Sequence, residues 1–89
     1  MTDVKALLDE REARYGAYEG MAAIAQQLKT ALHMAPKWDF LAFDQKESLE
    51  MIVHKIGRIL NGSPDYLDGW VDIAGYSQLI VNRLEKEKA

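Results

Sequence analysis

Apolar residues recur at three- and four-residue intervals along most of this chain and nowhere alternate strictly with polar ones, a pattern that predicts helices and no strands. A first helix is expected over about 2–14, capped by Thr2 or Asp3, with Val4, Leu7, Leu8 and Arg11 on one face. Gly16 follows as a left-handed C-terminal cap. The second helix, about 21–34, lines up Met21, Ile24, Ala25, Leu28, Ala31 and Leu32, and Pro36 closes it. The connector Lys37–Phe43 carries three aromatics and is expected to plug an edge of the core. A third helix, about 44–61, starts on Asp44 as N-cap with Glu47 completing a capping box, and carries the stripe Leu49, Ile52, Val53, Ile56, Leu60. Asn61-Gly62 ends it, and Ser63-Pro64 starts a fourth helix over about 64–86 with Pro at the first helical position. The fold class that follows is all-α: one domain, 1–89, built as a compact bundle of four helices.

Helix four changes that picture. Tyr66, Leu67, Trp70, Ile73, Ala74, Val81 and Leu84 form one broad face, yet Val71, Tyr76, Leu79 and Ile80 lie outside it. A helix apolar nearly all round is normally buried, and an 89-residue chain has too little material to surround one. Gly69 and Gly75 each cost a helix interior roughly 1 kcal/mol relative to alanine, which close approach of another element offsets. The expectation is that a second subunit completes the bundle, as a homodimer or a higher homo-oligomer.

Composition narrows the function classes. With 48% apolar and 28% charged residues the chain reads as globular. Eleven basic against 14 acidic side chains leave a net charge of −3, without the basic footprint that duplex nucleic acid requires. The absence of cysteine excludes disulfides and thiolate metal sites. No signal-peptide pattern and no membrane-length apolar run is present, so a cytoplasmic protein that does not enter the membrane is expected.

Candidate chemistry centres on two acidic pairs, Glu47 with Glu50 and Asp68 with Asp72, each at a spacing that puts both carboxylates on one helix face. If helices three and four form an antiparallel hairpin, the four groups can converge, and such a cluster needs a hard cation such as Mg²⁺. The polar strip of helix three continues through His54, Arg58 and Asn61, with Lys55 beside it, and these cations could grip phosphate oxygens. Trp70, Trp38 and Tyr15 are candidate stacking platforms for a base. Each feature also has a plain structural reading: a solvated helix face, capping at Glu47, favourable placement of Asp65 and Asp68 at a helix N-terminus, and core packing of Trp70. Asp72 fits the plain reading least, because Trp70, Val71, Ile73 and Tyr76 surround it in sequence.

Arg14-Tyr15-Gly16, the block His54–Leu60 and above all Asp68-Gly69-Trp70-Val71-Asp72-Ile73-Ala74-Gly75-Tyr76 resemble a family of small phage and prophage proteins of unassigned function, with a K-I-x-R … D-x-W-x-D-I-A-G-Y signature. The resemblance spans about residues 10–84. That family is in turn distantly similar to the MazG-like all-α nucleotide pyrophosphohydrolases, four-helix proteins that assemble as dimers or tetramers and hold Mg²⁺ on two acidic pairs. The resemblance implies a MazG-like bundle with Glu47 and Glu50 as catalytic metal ligands, and Asp72 and Asp68 completing the metal set. It also implies Lys55, Arg58 and His54 on the phosphates, and Trp70 and Tyr76 against the base. The implied reaction is hydrolysis of an NTP or dNTP to the monophosphate and pyrophosphate. The first pair matches the family's E-x-x-E as Glu47-Ser48-Leu49-Glu50. The second departs from it, reading Asp68-x-x-x-Asp72, or Asp65-x-x-Asp68 in a shifted register. Two other readings stay open: a non-catalytic oligomer that sequesters a nucleotide signal, and a helical protein-interaction module.

Overall fold

The computed structural model describes residues 3–88, which form four helices and no strand: α1 (Val4–Tyr15), α2 (Tyr18–Met34), α3 (Phe43–Asn61) and α4 (Leu67–Lys88). The all-α bundle expected from the apolar spacing is what the chain forms, and its boundaries carry the corrections. Asp3 caps α1, its carboxylate accepting from the Ala6 N–H, whereas Thr2 lies outside the described residues. α2 begins at Tyr18, so α1 and α2 are separated only by Gly16 and Ala17. Asp44 is not the cap of α3. The helix starts one residue earlier, the Gln45 side chain accepts from the Ala42 N–H at 2.8 Å, and Asp44 is taken by Arg83. Ser63 and Pro64 do not open α4 either. Ser63 donates its N–H to the Arg14 carbonyl and accepts from Tyr66 in a turn, which delays the helix to Leu67.

α3 is the centre of the molecule, packed by α2 on one side and α4 on the other. The α2–α3 contact is close because Gly57 lies against α2: a Cβ there would stand 3.3 Å from the Met21 carbonyl oxygen and 3.4 Å from the Ala25 Cβ. Met21, Ala25 and Val53 are the buried hydrophobic side chains among the described residues. That is a thin core. Of the α3 stripe, Leu60 is open to solvent. The aromatic connector does not plug the core: Phe40 and Phe43 project outward at 81% and 88% exposure, and Trp38 alone is half covered, against His33.

The α3–α4 hairpin is antiparallel, and three contacts fix its register. Arg83 forks onto Asp44 through Nε and an Nη at 2.6 and 2.9 Å. Lys55 Nζ meets Asp72 at 3.0 Å. Gly69 sits against Ile59, whose Cγ1 would be 3.4 Å from a Cβ placed there. α4 thus turns Gly69, Asp72, Ile73, Tyr76, Ile80 and Arg83 toward α3. The other apolar residues of α4 face away, with Leu67, Trp70, Val71, Leu79, Val81 and Leu84 all exposed.

Candidate functional site

The polar strip of α3 does not face solvent as a unit. Its C-terminal half, His54, Arg58 and Asn61, points at the α1–α2 corner, because the opposite side of α3 is occupied by α4. Asn61 holds that corner in place. Its side-chain amide donates to the carbonyls of Tyr15 at 3.0 Å and Ala17 at 2.8 Å, spanning the turn around Gly16. Gly16 adopts φ 79° and ψ −175°, a conformation open in practice to glycine alone.

That clamp sets Tyr15 in a cluster with Arg58, Tyr66 and Arg14. The Arg58 guanidinium lies 4.4 Å from the Tyr15 ring centre, Tyr15 meets Tyr66 edge-on at 6.0 Å, and Arg14 covers the Tyr66 ring at 4.6 Å. The Tyr66 hydroxyl donates to Asp68 at 2.9 Å, and that bond raises its pKa above the ordinary phenol value. Arg58 Nε is sealed from solvent and has no hydrogen-bond partner among the described residues. Arg58 and Tyr15 also wall a cleft of about 360 Å³ between α1, α2 and α3, together with Leu8, Arg11, Tyr18, Met21 and His54.

His54 registers the electrostatics of this corner. Burial pushes its pKa below the usual histidine value of 6.5, and the positive charges of Arg58, Lys29 and Lys55 push the same way. The unfolded chain then takes up the proton more readily than the folded one. Stability contributed by neutral His54 is therefore complete above about pH 6.5 and lost as pH falls through the lower folded value. Denaturant unfolding between pH 7 and pH 5 is expected to show this acid slope in the wild type and a shallower one in His54→Gln. Equal slopes would remove His54 as its source.

The acidic residues are placed differently from what the hairpin alone suggests. Asp72 is level with Lys55, whereas Glu50 lies five residues earlier on α3, about 7.5 Å down the axis and roughly 140° around it. Glu50 accordingly faces α2, where His33 Nε2 meets its carboxylate at 2.5 Å. Glu47 stays exposed, and Asp68 is bonded to Tyr66. Among the described residues no group of three or more His, Cys, Asp or Glu side chains lies close enough to hold a metal ion. Mg²⁺ asks for near-octahedral oxygen ligands, and one chain does not bring the two acidic pairs together to supply them. Of the expected phosphate ligands, Arg58 and His54 share the cleft, and Lys55 and Arg58 share a smaller recess beside Tyr66. Of the expected stacking residues Tyr15 lines the cleft, whereas Trp38 packs on His33, Trp70 is 54% exposed on α4 with its indole N–H on the Pro64 carbonyl, and Tyr76 lines a groove with Leu49 and Ile52. Tyr18 and Arg11 join the site although no motif marks them, and Arg14, part of the Arg14-Tyr15-Gly16 block, joins it without having been assigned a role. Their clue in the sequence is the density of aromatic and basic residues around Gly16.

Searches of curated proteins and of solved structures return no match. No described helix is long and apolar enough to cross a membrane. A family model does match, over residues 1–84 and so across the whole of the corner built by Gly16, Arg58 and Asn61; the chain belongs to the family of the domain of unknown function DUF6378.

Proposed function

We propose that this protein binds a small phosphate-bearing ligand of nucleotide type in the cleft between α1, α2 and α3. The observation that carries the reading is Arg58, a guanidinium laid on Tyr15 at the wall of the cleft with no ion-pair partner among the described residues. A cation in that state gains most from a planar or forked anion, and phosphate takes arginine N–H groups in pairs. Arg11 and His54 flank it, Glu12 and Glu19 also line the cleft, and Leu8, Tyr15, Tyr18 and Met21 offer an apolar wall to a flat ring. A volume of about 360 Å³ suits such a molecule.

Binding without turnover is the form of the idea we adopt. The Mg²⁺-dependent hydrolysis implied by the MazG resemblance asks for carboxylates that a single chain keeps apart. On this reading the protein works in the cytoplasm, that of a bacterial host for a phage-encoded chain. Titration calorimetry with nucleoside mono- and triphosphates and cyclic dinucleotides in Mg²⁺ buffer is expected to give saturable binding to at least one. The ligand should be recovered intact after heat denaturation. Silence with every nucleotide would sink the proposal, and pyrophosphate release abolished by Glu50→Ala would replace it with the hydrolase reading.

A further inference from the structure

The exposed side of α4 has an order that the packing of one chain does not use. Leu67, Trp70, Ala74, Ser77, Val81 and Leu84 follow one another at alternating steps of three and four residues, and every one of them is exposed. Alternate three–four spacing is the seam of a helix pair, in which each side chain enters a gap on the facing helix. The seam is also a palindrome in size. It runs large, large, small, small, large, large about a centre between Gly75 and Tyr76. A two-fold axis there sets Leu67 against Leu84, Trp70 against Val81 and Ala74 against Ser77, so bulky ends close over a narrow crossing. A Cβ at Gly75 would meet nothing within 4 Å, so the flank of the crossing is open in one chain.

We infer that α4 pairs antiparallel with α4 of a second copy along this seam, forming an isologous dimer. Charge supports the antiparallel sense. Asp65 stands just before α4 and Asp68 in its first turn, whereas its end carries Arg83, Lys86 and Lys88 together with Glu85 and Glu87. Among the described residues Asp65, Asp68, Lys86 and Lys88 have no ion-pair partner, and Glu87 is held by Arg83. The two-fold axis sets Asp65 level with Lys86 and Asp68 level with Arg83, and the antiparallel sense opposes the helix dipoles. A 22-residue helix is about 33 Å long, and the seam from Leu67 to Leu84 runs along most of it. The inference is independent of what the cleft binds.

Sedimentation velocity at micromolar concentration is expected to give a species of twice the 10.1 kDa chain mass. Val81→Glu, at a position already 44% exposed in one chain, should convert it to a folded monomer with unchanged helical circular dichroism. Because the chain has no cysteine, the pairing can be read by cross-linking. A mixture of Ala74→Cys and Ser77→Cys chains should form a disulfide dimer under mild oxidation, and neither variant alone should do so efficiently. A monomeric wild type, a Val81→Glu variant that remains dimeric, or efficient cross-linking of Ala74→Cys with itself would each overturn the inference.

Discussion

Replacing Gly16 by alanine is expected to lower the stability of the fold by about 3 kcal/mol or more. Two costs combine. The backbone at φ 79° and ψ −175° strains any residue with a Cβ by about 1–3 kcal/mol. The new Cβ would also stand 2.1 Å from the Asn61 carbonyl oxygen and 2.8 Å from the Asn61 side-chain nitrogen, so Asn61 has to move. Moving it breaks its bonds to the Tyr15 and Ala17 carbonyls, each worth about 1 kcal/mol. A domain of this size has on the order of 4–13 kcal/mol in total. The thermal midpoint should therefore fall by about 12 °C or more, at ~4–8 °C per kcal/mol for a small domain. Asn61→Ala, which loses the two bonds without the clash, should fall by less. A Gly16→Ala midpoint within a few degrees of wild type would refute the account of this corner.

The second large effect concerns binding. Arg58→Ala is expected to weaken the nucleotide-type ligand by one to two orders of magnitude, since a charge-assisted bond is worth about 1.5–3 kcal/mol. Arg58→Lys should recover only part of the loss, because a lysine ammonium keeps the charge but has neither the planar fork nor the broad stack on Tyr15. Lys5→Ala removes the same charge from the exposed face of α1, where Lys5 pairs with Asp9 outside the cleft, and should leave affinity unchanged. Calorimetry on the three variants separates a local contact from the general field. Equal losses in Arg58→Ala and Lys5→Ala would mean that the cleft is not the binding site.

Much of this architecture is legible in the residues alone. Helical spacing locates all four helices, Gly16 stands where φ turns positive, and the apolar character of α4 points to a surface larger than one chain can cover. The departures from local expectation share a cause. Asp44 and Ser63 have the chemistry of N-caps, yet each is claimed by a partner far along the chain, Arg83 for one and the Arg14 carbonyl for the other. Local capping is worth about 1 kcal/mol, and a long-range bond of similar strength displaces it at little cost. The aromatic connector stays outside the core for a related reason. Burial of Phe40 and Phe43 needs a second wall, and one chain does not build it.

The acidic pairs mark the boundary between the two kinds of information. Spacing within a helix is a local property, so Glu47 with Glu50 and Asp68 with Asp72 each share a face, as periodicity requires. Whether the two pairs meet depends on how far one helix slides along the other and which way each is rotated. Those two quantities are decided by side chains remote from the acids: the Arg83–Asp44 fork, the Lys55–Asp72 pair and the fit of Gly69 on Ile59. The same packing turns His54, Arg58 and Asn61 toward α1 and leaves the Leu67–Leu84 seam outside. The sequence by itself determined the helices, their amphipathic faces and an excess of apolar surface, because these follow from spacing along a single element. Only the tertiary structure decided which faces touch, since helix register is a sum of many weak contacts between residues distant in the chain. That sum separated the carboxylates and brought two arginines, Arg14 and Arg58, together with two tyrosines, Tyr15 and Tyr66.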